Sequence, residues 1–188
     1  MAVIPGILAS SITGHLVTSN FFKIATVNGN GVSTTLSFTS IPSTYKSLQI
    51  RGISKDTGTG GSGSGSFNIQ FNSSTSGYSY HQLQGGGGIV TASGSASTTN
   101  MATYYGANSL NSGYVGASII DIIDYASTSK YKTMKVFNGY NLNDTTYSLV
   151  QLASGLYQST SAISSIQINV SGINAFTTAT TFTLYGVS

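Results

Sequence analysis

Cysteine, tryptophan and glutamate are missing from this chain of 188 residues, and charge of either sign is scarce. Without cysteine there can be no disulfide and no thiolate metal site. Charged residues make up 6% of the sequence, against roughly 25% in an ordinary soluble domain. Solubility therefore rests on Ser, Thr, Asn, Gln and the backbone, a surface that suits a component of a particle or an exposed fibre better than a freely diffusing enzyme. The net charge of +3 is a small imbalance of six lysines and one arginine over four aspartates. The lysines form no dense run, so no nucleic-acid partner is expected. Nor is a membrane partner, because no stretch approaches the roughly 18 apolar residues of a spanning helix. The N-terminal MAVIPGILASSITGHL lacks a basic leader, and Pro5 interrupts its start, so it does not read as a secretory signal.

What is present is alternation. Val32, Thr34, Leu36 and Phe38 take every second place before Ile41-Pro42-Ser43-Thr44, where proline marks a strand boundary. After that turn Leu48 and Ile50 point one way and Ser47, Gln49 and Arg51 the other. The pattern recurs at Phe67, Ile69 and Phe71, in Tyr78 to Gln84, in Tyr114 to Tyr125, in Tyr131 to Tyr140, in Tyr147 to Leu152, at Ile166, Ile168 and Val170, and at Phe182 and Leu184. Asn28-Gly29-Asn30-Gly31 is a hairpin signal. About nine such strands separated by Gly, Asn and Ser turns predict an all-β, single-domain antiparallel β-sandwich, jelly-roll-like, over residues 21–188. Residues 1–20 read as an arm in which Ile4, Pro5, Ile7, Leu8, Ile12 and Leu16 could dock on another surface or cover the core edge. Residues 58–66 read as a flexible loop, and residues 85–113 as an irregular, loop-rich excursion.

Chemistry-bearing groups are few. Gly58, Gly60 and Gly63 fall in GxGxxG order, but a strand follows them where phosphate binding needs a helix N-terminus. Asp121 and Asp124 are three apart, which on a strand puts them on opposite faces. Asp56 and Asp144 lie in turn-rich sequence, where aspartate commonly bonds the backbone. His15 and His81 have no partner at metal-ligand spacing. No catalytic residue, cofactor or metal is expected. Twelve tyrosines without tryptophan are the better lead, and Tyr78, Tyr80, Tyr104 and Tyr105 are candidates for contact with a glycan or a partner protein. Arg51, the only arginine, is a candidate for a fixed interaction with Asp121, Asp124 or a partner subunit, and Lys132 and Lys135 are candidates for an interface.

The phrases Ile4-Pro5-Gly6-Ile7-Leu8-Ala9-Ser10-Ser11, FTSIPSTYKSLQIRG at 38–52, SGLYQSTSAISSIQI at 154–168 and FTLYGVS at 182–188 together resemble small virion structural proteins of tailed bacteriophages. The resemblance implies a non-enzymatic protein on the virion surface, made in the host cytoplasm and released by lysis. A capsid decoration (cement) protein, homotrimeric and bound to the major capsid protein, is the first expectation. A tail-fibre or receptor-binding component that recognises host surface polysaccharide is the second.

Overall fold

The structure, a computed structural model, describes residues 20–59, 64–108 and 113–188. These form twelve strands: β1 (Phe21–Asn28), β2 (Thr35–Phe38), β3 (Ser47–Ser54), β4 (Ser64–Phe71), β5 (Tyr78–Gly86), β6 (Ile89–Thr98), β7 (Met101–Ala107), β8 (Gly116–Ile123), β9 (Lys132–Tyr140), β10 (Leu149–Tyr157), β11 (Ile166–Val170) and β12 (Thr181–Val187). All pairings are antiparallel. One sheet has eight strands in the order β1-β12-β3-β8-β9-β10-β5-β6, and the other has four in the order β2-β11-β4-β7.

The topology becomes simple once two hairpins, β5–β6 and β9–β10, are set aside. The remaining strands pair as β1 with β12, β2 with β11, β3 with β8 and β4 with β7. That is one long antiparallel ribbon wound so that successive pairs alternate between sheets, the strand order of a jelly roll. The expected architecture is therefore the observed one. The two hairpins join the β8 edge of one sheet, β9 on β8 and β5 on β10, and double its width.

The core lies between the sheets and is filled by the inward half of each alternation. Leu36, Phe38, Phe67, Ile69, Phe71, Ile166 and Ile168 come from the four-stranded sheet; Leu48, Ile50, Ile120, Ile122, Met134, Val136, Phe182 and Leu184 come from the eight-stranded one. The Ile41–Pro42 turn is clamped over it: Tyr125 Oη donates to the Pro42 carbonyl at 2.6 Å and accepts from the Tyr45 N–H at 3.2 Å. Pro42, having no N–H to lose, sits between β2 and β3 as its chemistry requires.

Three expectations need correction or fall outside what is described. The stretch 85–113 is not an irregular excursion, because it holds the end of β5 and the whole of β6 and β7. A strand such as β6, exposed along nearly its whole length on both faces, has no apolar half and so carries no period to read. The predicted loop at 58–66 ends early, since β4 begins at Ser64. The arm, with Ile4, Pro5, Ile7, Leu8, Ile12 and Leu16, lies outside the described residues except for its last position.

Candidate functional site

The outer face of the eight-stranded sheet is made by the residues that alternate away from the core. Register places Ile119, Phe137, Leu152, Leu83 and Ala92 directly opposite one another on β8, β9, β10, β5 and β6. The adjacent row is Ile53, Ala117, Gly139, Val150, Gly85 and Val90 on β3, β8, β9, β10, β5 and β6. Ile119, Phe137, Leu152 and Leu83 are 43–56% exposed, and Val90 is 73% exposed. Seven large apolar side chains, Ile53, Leu83, Val90, Ile119, Phe137, Val150 and Leu152, thus share one open surface. At roughly 100 Å² each they present on the order of 700 Å², above the few hundred Å² of the largest patch on a typical monomer. Gly139 and Gly85 lack side chains within the second row, which leaves shallow grooves. One of about 300 Å³ lies between Ile119, Phe137 and Val150 beside Gly139, and one of about 610 Å³ runs past Gly85, Gly139 and Val150; a separate hollow of about 740 Å³, lined by neither of these two glycines, lies among His81, Leu83, Gly94, Lys135 and Leu152.

A polar row borders this surface: Gln49, Asp121, Lys135, Ser154, His81 and Gly94, again directly opposite one another. Gln49 Nε2 donates to Asp121 Oδ1 at 2.7 Å, and Arg51 Nε donates to Gln49 Oε1. The Arg51 guanidinium also lies over the rings of Phe21, 4.5 Å from its centroid, and Tyr185, at 5.4 Å. Arg51 therefore has its fixed interaction within its own subunit, with two rings and an amide, and reaches Asp121 only through Gln49. Asp124 belongs to a different contact, with Lys130 at 3.5 Å.

Lys132 and Lys135 part company. Three residues apart on one strand, they face opposite sides. Lys135 points outward into the polar row, whereas Lys132 is fully buried. Lys132 Nζ donates to the carbonyls of Ser127 (2.6 Å), Lys130 (2.9 Å) and Ser159 (3.1 Å). Loss of hydration lowers its pKa, an effect that nearby Asp124 opposes. Lys132 is a structural cap and not an interface residue.

Tyr78 is likewise not a glycan contact. It is 2% exposed and stacks on Tyr157 at 4.7 Å. Its Oη accepts from the Phe71 N–H at 2.8 Å and shares its proton between the carbonyls of Phe71 and Ser74. Burial pushes its pKa up to about 12, against the opposing effect of the Phe71 bond. Tyr80 is half-buried against the core. Tyr104 and Tyr105 lie on β7, and their side chains are outside the described residues. Asp56 is buried, accepting from the Gly58 N–H at 3.1 Å and from Asn174 Nδ2 at 3.3 Å. Asp144 accepts from the N–H groups of Thr146, Tyr147 and Ser148, the Tyr147 bond foremost, which lowers its pKa. Both carboxylates accept from nearby backbone N–H groups, as their surroundings in the sequence indicated, although Asp56 does so from an isolated bridge to Phe176. Among the described residues no three of His and Asp converge as metal ligands would.

The residues that sequence reasoning passed over are Phe137, Leu152, Leu83, Val150 and Ile53. A signal existed. Val136-Phe137, Leu149-Val150 and Leu152-Ala153 are adjacent apolar pairs, and on a strand such pairs place apolar groups on both faces.

No protein-family model matches the chain, and a search of curated proteins returns no match.

Proposed function

We propose that this chain is a non-enzymatic structural protein of a bacteriophage virion, a decoration protein that binds the assembled head through the outer face of its eight-stranded sheet and stabilises it. The observation that carries the reading is the pair of apolar rows through Phe137 and Val150, open to solvent, bordered along one side by Gln49, Asp121 and Lys135 and ended on β3 by Arg51, opposite Ile119. An apolar centre with a polar rim is the composition of a protein interface. Its partner in this reading is the major capsid protein. The sparse charge of the chain and its phrase-level resemblance to phage virion proteins support the same assignment. Binding only to the closed shell would stabilise that shell by mass action.

Phe137, the largest side chain of the first row and flanked by Ile119 and Leu152, is the expected hot spot. Phe137→Asp, made together with Leu152→Asp, is expected to lower occupancy on purified capsids by 100-fold or more while leaving the melting temperature nearly unchanged, because neither side chain belongs to the core. Deleting residues 1–16 tests the arm separately, with loss of occupancy expected. Unchanged occupancy in the double variant would sink the proposed face. Specific recognition on a glycan array without affinity for capsids would replace this reading by a receptor-binding one.

A further inference from the structure

The eight-stranded sheet ends in two edges of different chemistry. The β1 edge is blunted by Lys23 and by a register shift between Lys23 and Ala25, both devices that keep a strand edge from recruiting another chain. The β6 edge carries no charge, and its register shift is confined to its far end, opposite Tyr78 to Tyr80 of β5, where Ser97 takes φ +57°. Its sequence, IVTASGSAST, contains no charge and no proline, and at ten residues it is the longest strand among those described. From Ile89 to Ser95 it pairs residue for residue with β5. It is exposed on both faces, and among the described residues no backbone group bonds along its outer edge.

We infer that β6 is the self-association site of this protein, pairing antiparallel with the β6 of a second copy about a two-fold axis. The occupant follows from three features. An uncharged strand of small residues meets its own copy without like-charge repulsion. A two-fold axis normal to the sheet keeps both outer faces on one side, so the row that ends in Ala92 and the row that ends in Val90 run on into the second copy. The blunted β1 edge cannot continue the sheet, so the assembly closes as a pair instead of growing head-to-tail. The seven regularly paired residues, Ile89 to Ser95, are about 23 Å long. With side chains on both faces they bury on the order of 300 Å² per partner, the size of a weak, transient contact, so a dissociation constant of about 100 µM is expected. The inference does not rest on the proposed function, and it sets a two-fold pair in place of the threefold assembly expected from the sequence.

Analytical ultracentrifugation of the full chain from about 1 to 500 µM, a range that brackets that dissociation constant, tests it. The mass should rise from one protomer toward two. Thr91→Lys puts a charge on the side of β6 away from the outer rows, so it leaves the proposed docking face intact. It should weaken pairing at least tenfold with an unchanged melting temperature. A mass of one protomer throughout, a trimer, or pairing of Thr91→Lys at the original affinity would each overturn the inference. Because the chain has no cysteine, Ser93→Cys introduces a single thiol at mid-strand. A short bis-maleimide, tolerant of a small shift in register, should link it into dimers far faster than it links Thr128→Cys in the exposed turn after β8. Equal yields from the two variants would also overturn the inference.

Discussion

Lys132 and Tyr78 are buried polar groups whose interactions are completed by backbone, and in both cases the partners are carbonyls or amides at strand ends. Three carbonyls meet one ammonium at the base of β9, so the turn after β8 and the end of β10 are tied to one point. Tyr78 joins the start of β5 to the end of β4 and stacks on the end of β10. Its raised pKa has a definite consequence for stability. Below pH 10 the hydroxyl is protonated in both folded and unfolded chains, and its contribution is fully present. Between pH 10 and about 12 the unfolded chain loses the proton first, so the contribution falls as pH rises and is gone above the folded value. Melting temperatures across pH 9 to 12 should therefore drop more steeply for the native chain than for Tyr78→Phe. At neutral pH that variant should cost about 1–2 kcal/mol, because the Phe71 N–H loses its partner. Parallel pH curves for the two proteins would show that Tyr78 contributes nothing to the alkaline limb.

At the scale of elements, the strands differ in how many of their faces are covered. β8, with Ile120 and Ile122 inward and Ile119 and Ile123 outward, could be placed from sequence, because four isoleucines around Asp121 make it the most apolar of the alternating stretches. β6 could not, since solvent on both faces leaves nothing to select an apolar half. β7 closes against β4 through a register irregularity between Gly65 and Ser66. Facing it is Gly106, at φ +142°, where an added Cβ would fall on the backbone of Gly116. Glycine is required there for conformation and for space alike. Gly106→Ala is expected to destabilise by about 3 kcal/mol or more, read from the urea midpoint. A change under about 0.5 kcal/mol, the size of an ordinary surface substitution, would mean that the bulge relaxes at no cost.

For the whole molecule, the decisive quantity is the mismatch between an eight-stranded sheet and a four-stranded one. The smaller sheet covers the inner face as far as β9 and β10, whose inward residues are buried, and the added hairpins carry the large sheet on past it to an open edge at β6. The large sheet offers an apolar face, and the edge offers unpaired backbone. Attraction through the face should depend little on salt, because apolar contact is not screened while exposed ion pairs are. Capsid occupancy is accordingly expected to change less than about twofold between 0.1 and 1 M NaCl, conditions that shorten the Debye length from about 10 to 3 Å. A loss of tenfold or more would shift the interaction from the apolar rows to Lys135 and its neighbours.

The sequence by itself determined the all-β class, the jelly-roll-like sandwich and most of the inward residues, because a period of two is a local property that survives any tertiary arrangement. It also separated Asp121 from Asp124, and the same parity argument would have separated Lys132 from Lys135. Only the tertiary structure decided which of two apolar faces is covered, since adjacent pairs such as Val136-Phe137 look alike in sequence whichever neighbour packs on them. It likewise decided that Tyr78 is core and that Arg51 is held by Phe21 and Tyr185, contacts between residues far apart in the chain. The uncharged stretch at 89–98 became a strand edge for the same reason: its partner, β5, is local, while its exposure follows from where the smaller sheet ends.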